Sequence, residues 1–261
     1  MSAFEPIVTA ARGFGFRLEL CGSVAARLPH LWKRRGLIAD QLYLAGVKVV
    51  GVMLLVSFFI GLVVAYQTGL ELAKLGQEAQ IGPIVAISMA REMGPFIAGI
   101  VLSATVGSAL AAEIGSMSVG EELAALEVLS VDAISFLVLP RVAALAIMCP
   151  LLTILCDTLG LAGGAVIAQT KLHVGSTAFF ESAIQALQEP FLWAPLPKDV
   201  YFGLIKAFVF GVLIALIACS SGLRASGGAL GVGEATRRAV RDSIVGIIVT
   251  NYFFLTLFYQ R

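Results

Sequence analysis

Residues 91–141 read REMGPFIAGIVLSATVGSALAAEIGSMSVGEELAALEVLSVDAISFLVLPR, and this stretch decides the fold. A charged pair, Arg91-Glu92, precedes a long apolar run, and an acidic segment follows before apolar sequence resumes near Pro140. Small residues recur at every fourth position of the run: Gly99, Ser103, Gly107, Ala111 and Gly115. Such a ridge lets a second helix approach closely inside a bilayer, where packing drives association. We therefore predict two membrane helices joined by an acidic loop, with the ridge packing helix on helix.

The composition of the whole chain is that of an integral membrane protein. Of its 261 residues, 59% are hydrophobic and 13% are charged, whereas a soluble domain has about 25% charged residues. The net charge of +1 argues against a nucleic-acid partner. The four cysteines have neither metal-ligand nor redox spacing, and we interpret them as small buried hydrophobes.

Five apolar segments are long enough to cross a bilayer, which requires about 20 helical residues. They lie at about 49–66, 81–112, 133–167, 200–222 and 243–259. The second and third exceed a straight crossing, so they must tilt, bend or project. The candidate bending points are the prolines at 83, 95, 140 and 150. The sequence predicts an all-α integral membrane protein with five transmembrane helices.

The first 40 residues are predicted to form a separate amphipathic helix that lies in the membrane interface. Large apolar residues such as Phe16 and Leu18 alternate there with Arg12, Arg17 and Arg27. We expect these cations to face lipid headgroups. Residues 41–261 are then one transmembrane domain.

Basic residues predict the orientation of the chain. Those between Arg12 and Lys48 flank the first span on one side, which is cytoplasmic by the positive-inside rule. With five spans, the loop at 113–132 and the basic loop at 224–241 fall on that same side. The amino terminus is then cytoplasmic and the carboxyl terminus lies across the membrane.

Arg91 and Glu92 need a physical explanation, because a charge deep in a bilayer costs about 2.5–3.5 kcal/mol. Adjacent helical residues point about 100° apart, so the two do not pair neatly with each other. Either they snorkel to the outer interface, or they face a polar cavity and contact a ligand headgroup. Asp157, inside the third span, would be explained by a hydrogen bond to a neighbouring helix.

The acidic loop is predicted to contain a helix of its own. Ser118 and Glu121 match a capping box, in which each side chain satisfies a backbone N–H of the first turn. Leucines follow at helical spacing with acidic residues elsewhere on the surface: Leu123, Leu126, Leu129, Glu122 and Glu127. One interpretation is a connector packed under the helices. We favour a docking helix for a soluble partner, since a connector needs neither this length nor an acidic face.

The sequence offers little for catalysis. It contains no G-x-x-x-x-G-K-[ST] phosphate loop, so the chain does not hydrolyse ATP by that route. The glycines at 227, 228, 231 and 233 lack dinucleotide-site spacing, and we interpret them as a flexible connector. We predict no catalytic, cofactor-binding or metal-binding residue in this chain, and hence no enzyme activity of its own.

Several separated motifs carry a family resemblance. They are Arg91–Pro95, Ala112–Met117, Glu121–Leu123 with Ala125–Glu127, Pro140-Arg141, Gly203–Phe208 and Gly233–Thr236. In this order they resemble the MlaE/YrbE permeases of lipid-transporting ABC systems, over the chain from about Gln41 to its end. The resemblance implies a permease homodimer in a bacterial inner membrane, with its carboxyl terminus in the periplasm.

The resemblance also implies partners, a cargo and site residues. The partners are a cytoplasmic ABC ATPase dimer, which holds ATP and Mg²⁺, and a periplasmic MCE-domain protein. The cargo is phospholipid moving between the inner membrane and the periplasm or outer membrane, which bears on outer-membrane lipid asymmetry. Arg91 and Glu92 match residues of the lipid cavity, and Tyr66 and Gln67 are further candidates by position. ATPase coupling falls on the loop after the second span: Glu113, Gly115, Ser116, Met117, Glu121, Glu122, Leu126 and Glu127.

Two other functions remain open at this point. An ATPase-independent carrier or channel would use Arg91, Glu92 and Asp157 as an ion path. Such carriers are typically built from internal repeats, and no convincing pair of matching halves is found. A membrane scaffold would use the acidic loop only to recruit a soluble enzyme.

Overall fold

A computed structural model describes residues 5–29, 35–188 and 197–258, and in these ranges it contains helices and no β-strand. The helices are α1 (Glu5–Arg27), α2 (Arg35–Lys74), α3 (Glu78–Val119), α4 (Glu122–Val128), α5 (Ile134–Lys171), α6 (Ser176–Ala186), α7 (Lys198–Leu223) and α8 (Gly228–Phe258).

Five of these helices, α2, α3, α5, α7 and α8, are long and apolar enough to cross a membrane. The predicted all-α membrane fold with five spans is confirmed. The helices extend beyond the predicted segments, most clearly in α8, which begins at Gly228 rather than near 243. Its first turns carry Arg237, Arg238 and Arg241. Hydropathy detects only the apolar part of a helix, so a polar extension without helix breakers escapes it.

Within the described ranges three π-helical turns interrupt the long helices, at Met89–Met93 and Ser103–Gly107 in α3 and at Ile134–Val138 in α5. Two of them lie just before Pro95 and Pro140. Proline lacks an N–H and clashes with the preceding turn, and a wider turn relieves both problems. The irregularity predicted at these two prolines therefore takes the form of π turns, whereas Pro150 lies within regular helix.

The glycine cluster after α7 is not the flexible connector that we predicted. Gly231 and Gly233 belong to α8, and only Gly227 and Gly228 adopt left-handed backbone angles, with φ of +90° and +70°. A Cβ at Gly231 would overlap the carbonyl oxygen of Ser226. The glycines permit a tight turn that begins α8 immediately after α7.

By their internal contacts the residues form two compact units. The first contains Met1–Val47, Leu102–Ile147 and Gly211–Ile248, and the second contains Lys48–Val101, Met148–Phe210 and Val249–Arg261. Each of the five candidate spans contributes residues to both units. The prediction that 1–40 and 41–261 are separate domains stays a prediction, although α2 itself begins at Arg35.

In the first unit, α1 is attached to other helices by ion pairs. Arg17 pairs with Asp242 of α8, and Arg27 pairs with Asp132, which precedes α5. These two arginines were predicted to face lipid headgroups; each binds a carboxylate of the chain, and the headgroup contact stays a prediction. The side chain of Arg12 lies outside the described part.

In the second unit, α2 and α5 cross at glycines. A Cβ on Gly61 would overlap the backbone of Gly160, and one on Gly163 would overlap the carbonyl oxygen of Phe58. The Ser57 hydroxyl lies 2.9 Å from the Cys156 sulfur at this crossing. The predicted burial of the cysteines holds for Cys149, Cys156 and Cys219, whereas Cys21 is exposed.

Candidate functional site

All five residues of the small-residue ridge in α3 are buried: Gly99, Ser103, Gly107, Ala111 and Gly115. In the first unit the ridge meets α7 and the turn after it. A Cβ on Gly107 would lie 3.2 Å from Ile214, and one on Gly115 would lie 3.3 Å from Ala225. Reciprocally, a Cβ on Gly222 of α7 would lie 2.8 Å from Ile114. The two helices thus touch nearly backbone to backbone, so a larger side chain at any of these glycines requires the neighbours to move.

The capping box predicted at Ser118 and Glu121 is wrong. Ser118 lies in the last turn of α3, and its hydroxyl lies 3.3 Å from the carbonyl oxygen of Leu223 and 3.2 Å from that of Ala225. Glu121, with φ of +61°, precedes α4 in a left-handed conformation and makes no capping bond with its side chain. Because α3 packs against α7, it continues for one turn past the point at which the predicted capping box would have ended it.

The acidic loop contains the predicted helix, α4, which has no buried residue. Of the eight residues assigned to coupling, Gly115 is buried, Met117 and Leu126 are half-buried, and the rest are exposed: Glu113, Ser116, Glu121, Glu122 and Glu127. Leu129, which sequence analysis named, is 71% exposed, and two further exposed apolar residues were missed, Val128 (85%) and Leu230 at the start of α8 (88%). The loop therefore presents both carboxylates and large apolar side chains to solvent.

A buried arginine joins the two helices on either side of the acidic loop. Arg141 of α5 is 5% exposed and donates to Glu113 of α3 at 2.7 Å and to the carbonyl oxygen of Leu137 at 2.7 Å. A buried charge is tolerated only when it is paired and hydrogen-bonded. The sequence signal was a lone arginine after Pro140 in apolar surroundings.

In the second unit, Arg91 and Glu92 pair with residues of α7 and not with each other. Arg91 forms an ion pair with Asp199, which is 3% exposed. Glu92 accepts a hydrogen bond at 2.7 Å from Lys206, a lysine with no exposed surface. Since Gly203 packs against the carbonyl oxygen of Ala90, α7 comes close enough for Lys206 to reach α3.

Lys206 also donates to the carbonyl oxygen of Arg91 at 2.9 Å. In a regular helix this oxygen would accept the N–H of the residue four positions later, which is Pro95 and has none. The second oxygen of Glu92 accepts a hydrogen bond at 2.9 Å from Asn251 of α8. Glu92 is thus held by two helices, and its charge is balanced inside the protein.

Asp199, Lys206 and Asn251 were missed by sequence analysis. Lys206 gave a usable signal, because it is the one charged residue of the apolar run GLIKAFVFG. Asn251 gave no such signal, because the sequence does not show which partner an asparagine in an apolar helix binds. Their assignment required the helix packing.

Asp157 of α5 lies against Gly94, where a Cβ would overlap its Oδ1. This buried oxygen has no hydrogen-bond partner in the part of the chain that the structure describes. The predicted hydrogen bond to a neighbouring helix is therefore not found for Oδ1. Instead, the carboxyl group occupies the space left by a missing side chain beside the π turn at Met89–Met93.

Tyr66 and Gln67 lie elsewhere in the second unit, in an apolar groove of about 460 Å³. The groove is lined by Leu62, Val63, Tyr66, Gln67 and Leu70 of α2 and by Ile167 of α5. The four residues predicted to contact lipid therefore occupy two places, because among the described residues the lining of the groove includes neither Arg91 nor Glu92. No group of three or more His, Cys, Asp and Glu side chains that could hold a metal ion occurs in the described ranges.

Long apolar helices with paired charges inside them and an apolar groove on their surface define a polytopic helical membrane protein. A family model described as Permease MlaE matches residues 38–257. The chain belongs to the MlaE permease family, and the resemblance found in the sequence is confirmed.

Several relatives align with most of the chain. A probable ABC transporter permease protein of Synechocystis is 40% identical over 221 residues, which cover 85% of this chain and 81% of the relative. One of Rickettsia prowazekii is 40% identical over 224 residues, or 86% and 83% of the two chains. The chloroplastic protein TRIGALACTOSYLDIACYLGLYCEROL 1 of Arabidopsis thaliana is 38% identical over 221 residues, or 85% and 61%.

Proposed function

We propose that this chain is the permease subunit of an ABC-type transporter that moves phospholipid, powered by a separate ATPase. The transporter lies in a bacterial inner membrane, with the amino terminus of the chain cytoplasmic and the carboxyl terminus periplasmic. The observation that carries the lipid assignment is the apolar groove at Tyr66 and Gln67. The Arabidopsis relative, which is named after a galactolipid, supports a lipid cargo in general.

The groove suits an acyl chain better than a polar solute. Four of its six lining residues are aliphatic, and Tyr66 and Gln67 supply its polar groups. The outer face of α2 beside it is apolar too, with Leu55 62% exposed and Phe59 56% exposed. Specific small-molecule sites are likewise mostly apolar with a few placed polar groups. We propose that acyl chains lie along this surface.

In this proposal Arg91 and Glu92 form a second, polar place of lipid contact, which is separate from the lining of the groove. Arg91 keeps 34% of its side chain exposed and Glu92 keeps 24%, although both are paired. A partly exposed guanidinium and a partly exposed carboxylate present charge to a lipid headgroup. The two ion pairs hold these side chains in place without leaving a net charge in the bilayer.

The acidic loop is the proposed ATPase-docking surface, and ATP and Mg²⁺ bind to that partner. Its exposed glutamates and its apolar residues Val128 and Leu129 offer both charge and hydrophobic contact. Closure of the ATPases then pushes on α4. Lipid binding and closure need only favour different states by a few kcal/mol to be coupled.

A second copy of the chain and a periplasmic MCE-domain protein complete the proposed complex. The last turns of α8 keep a broad apolar face exposed, with Tyr252, Phe253 and Leu257 at 63%, 57% and 75%. Lipid or a second copy suits this face. An ATPase-independent carrier has less support, because Arg91 and Glu92 each form an ion pair with a residue of α7.

The test is a mild-detergent pull-down of the chain from its native membranes, with mass spectrometry of the bound proteins and lipids. We expect an ABC ATPase, an MCE-domain protein and enriched phospholipid. Recovery of the chain alone, still able to move solute in liposomes, would support an ATPase-independent carrier. Recovery of a soluble enzyme without lipid would support a scaffold.

A further inference from the structure

We propose that α1 moves together with the acidic loop. When the ATPase displaces α4, the contact between Asp132 and Arg27 transmits that displacement to α1. The inference rests on the proposed function, since it assumes that an ATPase docks on α4. It adds a role for the amino-terminal helix beyond lying in the membrane interface. The evidence lies entirely within the first unit.

The first observation is that α4 is bounded by two left-handed residues. Glu121 has φ of +61° and Ser130 has φ of +55°, on either side of Glu122–Val128. A non-glycine residue in this region carries backbone strain, and strained positions concentrate at switch segments. With no buried residue of its own, α4 has little packing to lose when it moves. We therefore interpret α4 as a short helix that moves about Glu121 and Ser130.

The second observation is that the entry side of the loop is fixed. Ser118 is held by the carbonyl oxygens of Leu223 and Ala225, and the ridge glycines bring α3 against α7. Glu113 and the buried Arg141 then connect α3 to α5 at 2.7 Å. These contacts hold α3 in place, so we expect α3 to move little when α4 moves.

The third observation is that the exit side ends on Asp132, which makes two kinds of contact. Its Oδ1 accepts the backbone N–H of Ile134 at 3.2 Å and so caps the start of α5. Its Oδ2 pairs with Arg27, the last residue of α1, which also donates to the carbonyl oxygen of Ser23 at 3.0 Å. Asp132 thus ties the end of the loop to the end of α1.

The exposure of the two ion pairs fits this division of roles. In the pair that joins α3 to α5, Arg141 is 5% exposed and Glu113 is 51% exposed, whereas Arg27 and Asp132 are 31% and 44% exposed. Separation of the first pair would leave the buried guanidinium of Arg141 without its counter-charge, so this pair holds α3 and α5 together. The second pair has no such buried charge, so it can change its angle at lower cost while Asp132 and Arg27 stay in contact.

Near its middle α1 contacts elements that do not belong to the loop. Arg17 pairs with Asp242 of α8, and the guanidinium of Arg224 lies 5.8 Å from the ring centre of Phe16. These contacts supply a matched control. Removing Arg17 loosens α1 from α8 but leaves the connection to α4 intact.

The experiment uses the complete complex of permease and ATPase in lipid nanodiscs. Spin labels replace Leu18 of α1 and Leu230 of α8, which are 60% and 88% exposed, in an otherwise cysteine-free chain. Pulsed electron paramagnetic resonance measures the distance between the two labels with and without a non-hydrolysable ATP analogue. We expect the analogue to shift the distance, Arg27→Gln to abolish the shift, and Arg27→Lys and Arg17→Gln to retain it.

Asp132→Asn separates the ion pair from the helix cap, because its amide oxygen still accepts the N–H of Ile134. We expect it to behave like Arg27→Gln, with lipid transport reduced at least threefold and co-purification of the ATPase unchanged. A full shift in both variants, or no shift in the unmodified chain with the ATPase bound, would overturn the inference alone. Absence of the ATPase from the purified complex would overturn the proposed function as well.

Discussion

The ammonium group of Lys206 lies 2.7 Å from Glu92 Oε1 and 2.9 Å from the carbonyl oxygen of Arg91, with no part of the lysine exposed. One side chain thus neutralises a carboxylate and serves a backbone oxygen that Pro95 leaves without its usual donor. The contact fixes α7 to α3 at the residues proposed to form the polar place of lipid contact.

Lys206→Met is expected to destabilise the protein by about 3–5 kcal/mol, because it leaves Glu92 charged without its partner. Combining it with Glu92→Met should restore most of that loss, since the pair is then replaced by apolar side chains of similar size. Thermal unfolding of the purified protein in detergent measures both effects as a double-mutant cycle.

The matched control for this pair is Lys74→Met. Lys74 also binds a glutamate at 2.7 Å, but it and Glu71 are each 68% exposed. An exposed pair contributes about 0–1 kcal/mol, so this variant should unfold almost as the unmodified protein does. Equal losses at positions 74 and 206 would show that burial does not strengthen the Lys206 contact.

Gly94→Ala is expected to destabilise the second unit, because its Cβ would overlap the carboxyl group of Asp157. Asp157→Ala should remove most of that penalty in the double variant. The size of the coupling between the two changes, measured by thermal unfolding, tests whether the carboxyl group fills the space beside Gly94. Strictly additive effects would contradict this arrangement.

Val63→Trp is expected to reduce lipid transport severalfold by filling the groove at Tyr66 and Gln67. Leu151→Trp is the control, since Leu151 of α5 is also exposed (52%) but does not line the groove. Transport of fluorescent phospholipid by the reconstituted complex gives the readout. If both variants transport normally, acyl chains do not use this groove.

Charge reversal at Glu121 and Glu122 is expected to weaken ATPase association, because both carboxylates are exposed on the proposed docking surface. Glu181→Lys on α6 changes an exposed glutamate far along the chain and should leave association intact. Co-purification of the ATPase at increasing salt measures the difference. Unchanged co-purification of the reversed variant would remove the docking assignment from α4.

Asp132 makes part of the stability of the first unit dependent on pH. Partial burial acts to raise its pKa, but the hydrogen bond and charge of Arg27, with backbone N–H groups, lower the pKa below its ordinary 3.8. A lowered pKa means that the carboxylate stabilises the fold at higher pH and loses that effect as pH falls through the folded-state pKa. In the Asp132→Asn variant the free energy of unfolding should therefore fall less steeply as the pH is lowered. Thermal unfolding between pH 7 and pH 3 measures this difference.

The spans, the loop helix and the π turns differ in how far the sequence predicts them. Apolar length alone locates the five spans, since the bilayer requires it of any helix. The polar start of α8 and the extension of α3 past Ser118 depend on packing against neighbours, which local patterns do not contain. Prolines 95 and 140 indicated irregular helix, but the choice of a π turn over a kink depends on how the freed carbonyl groups are satisfied.

For the ion pairs between α3 and α7, the sequence identified the members on α3 but not their partners on α7. Arg91, Glu92 and Glu113 were found because they lie in or beside apolar sequence within recognisable motifs. Asp199 lies 108 positions after Arg91 in the sequence, and Lys206 lies 114 positions after Glu92. No sequence spacing encodes such a partnership.

The π turn at Ser103–Gly107 has a geometric consequence for the ridge in which it lies. In a regular helix each four-residue step overshoots a full turn by about 40°, so Ser103 and Gly115 would face directions about 120° apart. One extra residue in a turn cancels about 100° of that drift, which brings these ridge residues back toward one line. The widened turn therefore aligns the ridge within the first unit, and loss of a single residue there would turn Ser103 away from the direction that Gly115 faces.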